Sequence, residues 1–501
     1  MNKLLAGASI LCVVMVICGI NRGFDYSDEG LYVMLADPFQ ENFAGIFNYD
    51  LFFKLVHLPT GYSFSIVELR ILRLLSYFLG AWALVGFWKN ISGEQKPRFE
   101  IFWISCLGLF AGYAFLPPTL SYNSLTVVLV CFWLNLLSKE QISRSSYFFL
   151  GLILAVLVYV KVTVVLLLFP LTILVLILRK KFKIFSSLML ILPLILFEFS
   201  FLALFRESAL TRLQEGIPMN TTRTGYQVGL MAKCVAVGGF WITLMGSLFF
   251  GLGYLKRSKN SFYPAMQILT GFAVCVIGYL THITDEWNHL VLLFFSAFFG
   301  FQFGSGIFKL SKTNLWIPLL LLLPFILHFG SNVYWLRIGI HYFVFWILAG
   351  LWLYKNLNWE MEIVISLLCI MLVFNGIWWH PFNHEKPLWS EKTAWQIGER
   401  ENLFLDPELV EILSEIMKFN DRNANSQLLA AYRIPGLSWL VGVTIPFSPG
   451  IWEKAQLDGF YEDKPKAMIY NKLQNLPESW QFNHSQYLGT YRSDSLQLLW
   501  D

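Results

Sequence analysis

Apolar runs of membrane-spanning length recur along most of this chain, separated by short polar breaks. The runs occupy 4–20, 68–88, 100–117, 122–137, 146–160, 163–179, 184–204, 229–255, 264–281, 289–308, 315–330, 340–354 and 361–377. They predict about thirteen spans, each near the roughly 20 residues that a helix needs to cross a hydrocarbon core. Lipid offers no water to satisfy backbone groups, so each run is expected to be helical. Two breaks are tight: Pro117 to Asn123, and Tyr159 to Thr163 around Lys161. A proline pair and a lone lysine both end helices, so both breaks predict turns. A re-entrant break at either one would invert every later crossing. The first run follows Met-Asn-Lys and has no small-x-small cleavage site after it, which predicts an uncleaved anchor rather than a signal peptide.

Charge sets the orientation. With a cytoplasmic amino terminus, the short inner loops carry Lys89, Lys96 and Arg98; Lys139 and Arg144; Arg179 to Lys183; Lys256, Arg257 and Lys259; Lys309 and Lys312; and Lys355. Every inner loop is then basic, the pattern that biases membrane insertion. The outer face receives loop 21–67, the Pro117–Asn123 turn, Lys161, loop 205–227, Thr281–His289, Ser331–His341, and everything beyond about residue 378. That last stretch differs in kind. Pro407 to Phe419 reads as an amphipathic helix with Asp406 as its N-cap and proline at the first helical position. Gln427 to Tyr432 reads as a short buried strand, and Tyr487–Arg492 with Ser495–Trp500 as a terminal hairpin. The expectation is a polytopic α-helical membrane protein of the inner (plasma) membrane. Residues 1–377 form its transmembrane part, and 378–501 a small periplasmic α/β domain.

Composition agrees: 56% hydrophobic and only 14% charged residues exclude a soluble globule. The seven cysteines, Cys12, Cys18, Cys106, Cys131, Cys234, Cys275 and Cys369, all fall in apolar spans, so neither a disulfide framework nor a cysteine metal site is supported. The basic inner loops account for the net charge of +4, which therefore does not point to nucleic acid. There is no internal repeat and no nucleotide-phosphate loop.

Candidate chemistry gathers on the outer side. A helix starting after Ser27 would take Ser27 as N-cap and set Asp28 and Tyr32 one turn apart, with Asp25 a turn earlier. Asp28 and Glu29 would complement the helix dipole, which explains acids there without any chemistry. A carboxylate under a partly apolar roof is also suited to act as a general base toward an acceptor hydroxyl. A second would orient the first or help hold a divalent cation. Lys161, at the outer end of a helix pair, either snorkels to the interface or holds a lipid phosphate. Arg70 and Arg73 lie one turn apart, facing Glu68, the first loop or anionic headgroups; Arg206, Arg212 and Arg223 are suited to clamp phosphate oxygens. Asp285 with His289, and Arg337 with His341, sit at helical spacing near the surface. No His-Glu-x-x-His pattern supports a metal there.

Taken together, the anchor run, Asp28-Glu29-Gly30-Leu31-Tyr32, Arg70 and Arg73 opening the second span, the Pro117–Asn123 turn, and Gly151 with Lys161-Val162-Thr163 resemble the GT-C superfamily of polyprenyl-phosphate-dependent glycosyltransferases. By pattern the bacterial aminoarabinose and protein O-mannosyl transferases are nearest, and the likeness covers mainly the first 180 residues. It implies inverting transfer from an undecaprenyl-phosphate-linked sugar to a glycolipid, glycan or protein acceptor on the periplasmic face. Asp28 would be the base, Glu29 its support, and Lys161 a contact to the departing phosphate, where negative charge builds. The prenyl chain would lie in grooves between spans. Two positions depart from the pattern: Leu31 replaces an arginine found in some relatives, and Asn123 an acidic residue, which weakens a metal-dependent route. Trp378-Trp379-His380 lacks the Trp-Trp-Asp signature of oligosaccharyltransferases. A lipid-linked glycan transporter or flippase, or a non-catalytic envelope-assembly protein, are the other classes. Few mid-span ionisable residues, with Glu198 the main exception, and one-sided charge suit chemistry better than alternating access.

Overall fold

The computed structural model describes the chain except residues 1–2, 44, 116, 222, 284–288, 308–314, 332–340, 355–358, 399–400 and 423–427. It is mostly helical. The first part comprises α1 (Lys3–Cys18), α2 (Asp28–Ala36), α3 (Asp50–Thr60), α4 (Ile66–Ser92), α5 (Phe99–Phe110), α6 (Tyr122–Ser138), α7 (Arg144–Leu178), α8 (Ile184–Phe205) and α9 (Ala209–Thr221). There follow α10 (Val228–Arg257), α11 (Tyr263–Leu280), α12 (His289–Gly304), α13 (Trp316–His328), α14 (Phe343–Tyr354) and α15 (Trp359–Phe374). Six helical segments are long and apolar enough to cross a membrane: α4, α7, α8, α10, α11, and α15 continued to Trp379. Shorter apolar helices include α1, α6, α12, α13 and α14, together with α5 and its extension to Ala114. All thirteen predicted runs are therefore helical at least in part, although many are shorter than a full span.

The α7 segment is not one straight rod. At 1.5 Å per residue a continuous helix of this length would separate its ends by about 50 Å. Yet the Tyr147 hydroxyl donates to the carbonyl of Lys181, and Arg179 donates to the carbonyls of Ser138 and Lys139 at 3.2 and 3.1 Å. Within the segment only Lys161 has non-helical angles (φ −157°, ψ 83°). The chain doubles back there, and the two halves correspond to the predicted runs 146–160 and 163–179. Glu198, read as a mid-span acid, accepts from the Tyr159 hydroxyl at 2.6 Å and the Leu210 amide at 3.3 Å. That contact ties it to the α8–α9 connection, so it is not an isolated charge within the bundle.

The C-terminal domain begins with a hairpin of β1 (Thr393–Ile397) and β2 (Glu401–Leu405), then α16 (Pro407–Arg422). A four-stranded sheet follows in the order β3 (Leu428–Ala431), β4 (Ala467–Asn471), β6 (Asp494–Trp500), β5 (His484–Tyr491). β3 and β4 are parallel, and the other neighbours antiparallel. Two short helices, α17 (Pro435–Leu440) and α18 (Lys454–Phe460), connect β3 to β4. Asp406 accepts from the Glu408 amide at 2.9 Å and so caps α16. The apolar face of α16, carrying Leu409, Ile412, Leu413 and Ile416, is buried with the sheet.

This domain is joined to the bundle through the first loop. Gly23 donates to the Phe404 carbonyl at 2.9 Å, Phe404 to the Asn21 carbonyl at 3.0 Å, and Gly436 to the Tyr26 carbonyl at 2.8 Å. The Glu401 carboxylate accepts from the first amides of α4, Ile66 and Val67, at 3.2 and 2.9 Å. Residues 21–30 thus run between bundle and domain.

Candidate active site

Asp28 owes its position to what surrounds the first turn of α2. The Ser27 side chain makes no capping bond. The Asp25 carboxylate takes that role, accepting from the amides of Ser27, Asp28 and Glu29 at 3.2, 3.0 and 3.4 Å. A carboxylate reaching three residues ahead displaces the shorter hydroxyl. Gly30 sets the depth of the helix: a Cβ there would lie 2.4 Å from the Gly436 nitrogen, so α2 and α17 touch backbone to backbone.

The helix turns its two acids to opposite surroundings. Glu29 is fully buried and bidentate with Arg70, at 3.0 and 2.9 Å. It also accepts from the Thr119 hydroxyl and from the Asp25 amide at 3.2 Å. Both of its oxygens are taken by the protein, so Glu29 faces the interior and not the cavity of Asp28. Arg70 spends its remaining donors on the carbonyls of Ile20, Arg22 and Gly23 at 2.7, 3.1 and 2.8 Å, and so is a strut beneath the loop rather than a substrate clamp.

Asp28 instead opens into a cavity of about 350 Å³ lined by Ser27, Leu31, Ile46, Phe47, Tyr122, Lys161, Val162, Thr163, Arg223, Tyr226, Gly330, Ser331, Arg433 and Trp452. Its carboxylate is reachable from solvent through that cavity and makes no hydrogen bond or ion pair among the described residues. The protein crowded around it nevertheless raises its pKa above the usual carboxylate range, and the positive charges of Arg433 and Arg223 partly oppose the rise. Behind it, Asp25 is pushed up to about 7 by burial and by the like charge of Asp28.

Lys161 reaches the cavity because α7 breaks at that residue. Its ammonium donates to Asn123 Oδ1 at 3.2 Å and to the Leu327 carbonyl at 2.8 Å, and sits 5.5 Å from the centre of the Tyr122 ring. Tyr122 in turn stacks on Phe47 at 4.0 Å and meets Tyr32 edge-on at 5.8 Å. Asn123 and Tyr32 therefore orient cavity residues from behind.

Arg223 stands over the Tyr226 and Trp452 rings at 4.9 and 5.9 Å. Its loop is fixed by Glu453, which accepts from the Thr224 amide and hydroxyl at 2.8 and 3.0 Å. Arg433 follows β3 in a left-handed conformation (φ 60°), an uncommon one for a residue with a side chain.

The other predicted site residues lie away from this cavity. Arg73 is buried, donating to the Pro117 carbonyl and packing 4.0 Å from the Tyr113 ring. Arg212 is buried against Asp50 at 2.8 Å and Glu207. Arg206 is exposed at the end of α8. His289 contacts the Thr281 carbonyl through Nδ1 at 2.7 Å. Arg73 and Arg212 are held for one reason: a charge entering a mostly apolar bundle needs partners at once, and the nearest are carbonyls and carboxylates of the protein itself. Asp285 and Arg337 lie outside the described residues. Among the described residues, no three His, Cys, Asp or Glu side chains are grouped to hold a metal ion.

Arg433, Tyr226 and Trp452 were not singled out from the sequence. Arg433 carried one weak signal, a cation directly after a predicted buried strand. No protein-family model, curated protein or solved structure matches the chain.

Proposed function

We propose that this chain is an integral-membrane glycosyltransferase. It moves a sugar from a polyprenyl-phosphate donor to a hydroxyl of a glycolipid, glycan or protein acceptor at the outer, periplasmic mouth of the bundle. The thirteen runs cross the inner membrane with the amino terminus cytoplasmic. The observation that carries the reading is the single cavity holding an unpaired carboxylate, Asp28, and a lysine, Lys161, at the tip of a helical hairpin. Asp28 accepts the acceptor's hydroxyl proton as the oxygen attacks the anomeric carbon. The bond from that carbon to the lipid phosphate breaks, and the configuration inverts. Lys161 compensates the charge that grows on the departing phosphate. Its raised pKa makes Asp28 a better base than an ordinary aspartate.

The test is transfer from undecaprenyl-phosphate sugars by purified wild type and Asp28→Asn. Asparagine keeps the shape and cannot accept the proton, so turnover is expected to fall by about 10²–10⁴-fold. A folded Asp28→Asn protein that transfers as fast as wild type overturns the assignment.

A further inference from the structure

Two arginines from distant parts of the chain line this cavity. Arg223 comes from the loop after α9, and Arg433 from the C-terminal domain. They repel one another, and together they are the charges that act on Asp28. Arg223 has an acid partner of its own in Glu453, at 3.9 Å, which also accepts two hydrogen bonds from Thr224. The Arg433 side chain makes no hydrogen bond or ion pair among the described residues. Lys161, which lines the same cavity, is held by Asn123 and the Leu327 carbonyl.

We propose that Arg223 and Arg433 form an anion subsite for a phosphate group carried by the acceptor, distinct from Lys161, which receives the donor's phosphate. The inference rests on the glycosyl-transfer reading above. The acceptor must bring its hydroxyl to Asp28, and the two arginines are the cations around that carboxylate. The group they hold therefore belongs to the molecule that gives up its proton there. Two guanidinium groups match the charge and the several oxygens of a phosphate monoester. The rings of Tyr226 and Trp452 keep Arg223 in place. The phosphate has two possible sources, a soluble phosphate ester or a lipid headgroup.

The full chain in phosphatidylcholine nanodiscs separates these. Calorimetry with glycerol 1-phosphate is expected to show binding that is weakened at least tenfold by Arg433→Ala and by Arg223→Gln, partly restored in Arg433→Lys, and unchanged in Arg206→Ala. Glycerol itself should not bind. Phosphatidic acid in the discs should compete if the natural source is a lipid headgroup, and should leave binding unchanged if it is soluble. Undecaprenyl phosphate is the second probe, expected to respond more to Lys161→Ala than to either arginine variant. Glycerol 1-phosphate that fails to bind wild type, or binds both arginine variants like wild type, overturns the subsite. If only undecaprenyl phosphate fails to bind, the donor reading falls and the arginine subsite stands on its own measurement.

Discussion

Replacing Glu29 by alanine should destabilise the protein rather than merely slow it. The Glu29–Arg70 side chains are wholly buried, with the ion pair at 2.9 Å. Removing the carboxylate leaves a guanidinium in the interior with only the carbonyls of Ile20, Arg22 and Gly23 to share its charge. Breaking one side of a buried pair costs about 3–5 kcal/mol, and the three carbonyls place this case near the lower end. The Thr119 hydroxyl and Asp25 amide also lose their acceptor, at about 1 kcal/mol each. A total near 5 kcal/mol, at about 2 °C per kcal/mol for a large chain, lowers the unfolding temperature by about 10 °C. Tryptophan fluorescence on the detergent-solubilised protein at one fixed scan rate reads this directly, since such unfolding is rarely reversible. Replacing both partners by methionine should recover most of the loss, because no buried charge is left. The reasoning is refuted if Glu29→Ala melts with wild type yet has lost transfer, since Glu29 would then belong to the chemistry.

Asp28 must be ionised to act, so transfer should fall as pH drops through a value above the ordinary carboxylate range. In kcat/KM profiles this acid limb should move to higher pH in Arg433→Ala, which removes the largest opposing charge, and also, by less, in Arg223→Gln. Gly30→Ala should lose transfer and stability together, because its Cβ would strike the Gly436 backbone; activity at wild-type level and an unchanged melting curve would contradict that close contact. Asp50→Ala, which strips buried Arg212 of its 2.8 Å partner, should cost about 3 kcal/mol by the same fluorescence melt. Glu207 remains to limit the loss.

Much of the frame was legible before any coordinates. The positions of the apolar helices, the break at Lys161, the amphipathic helix after Asp406 and the terminal hairpin all follow from local pattern. Helix period, proline, lone charges and turn residues act over a few neighbours, so sequence alone determined them. It also marked Asp28 and Lys161, because charges beside apolar runs stand out. It did not decide which charges are struts and which are free. Glu29 and Asp28 are adjacent, and only the depth of α2 against α17 turns one into the interior and the other into the cavity. Arg70, Arg73 and Arg212 looked as available as Arg223 until the partners that occupy them were placed. Arg433 sits at the far end of the chain from Asp28, and a domain folding back over the first loop brings it there. Pairing, burial and the closure of a cavity depend on contacts between distant segments, and those only the tertiary structure decided.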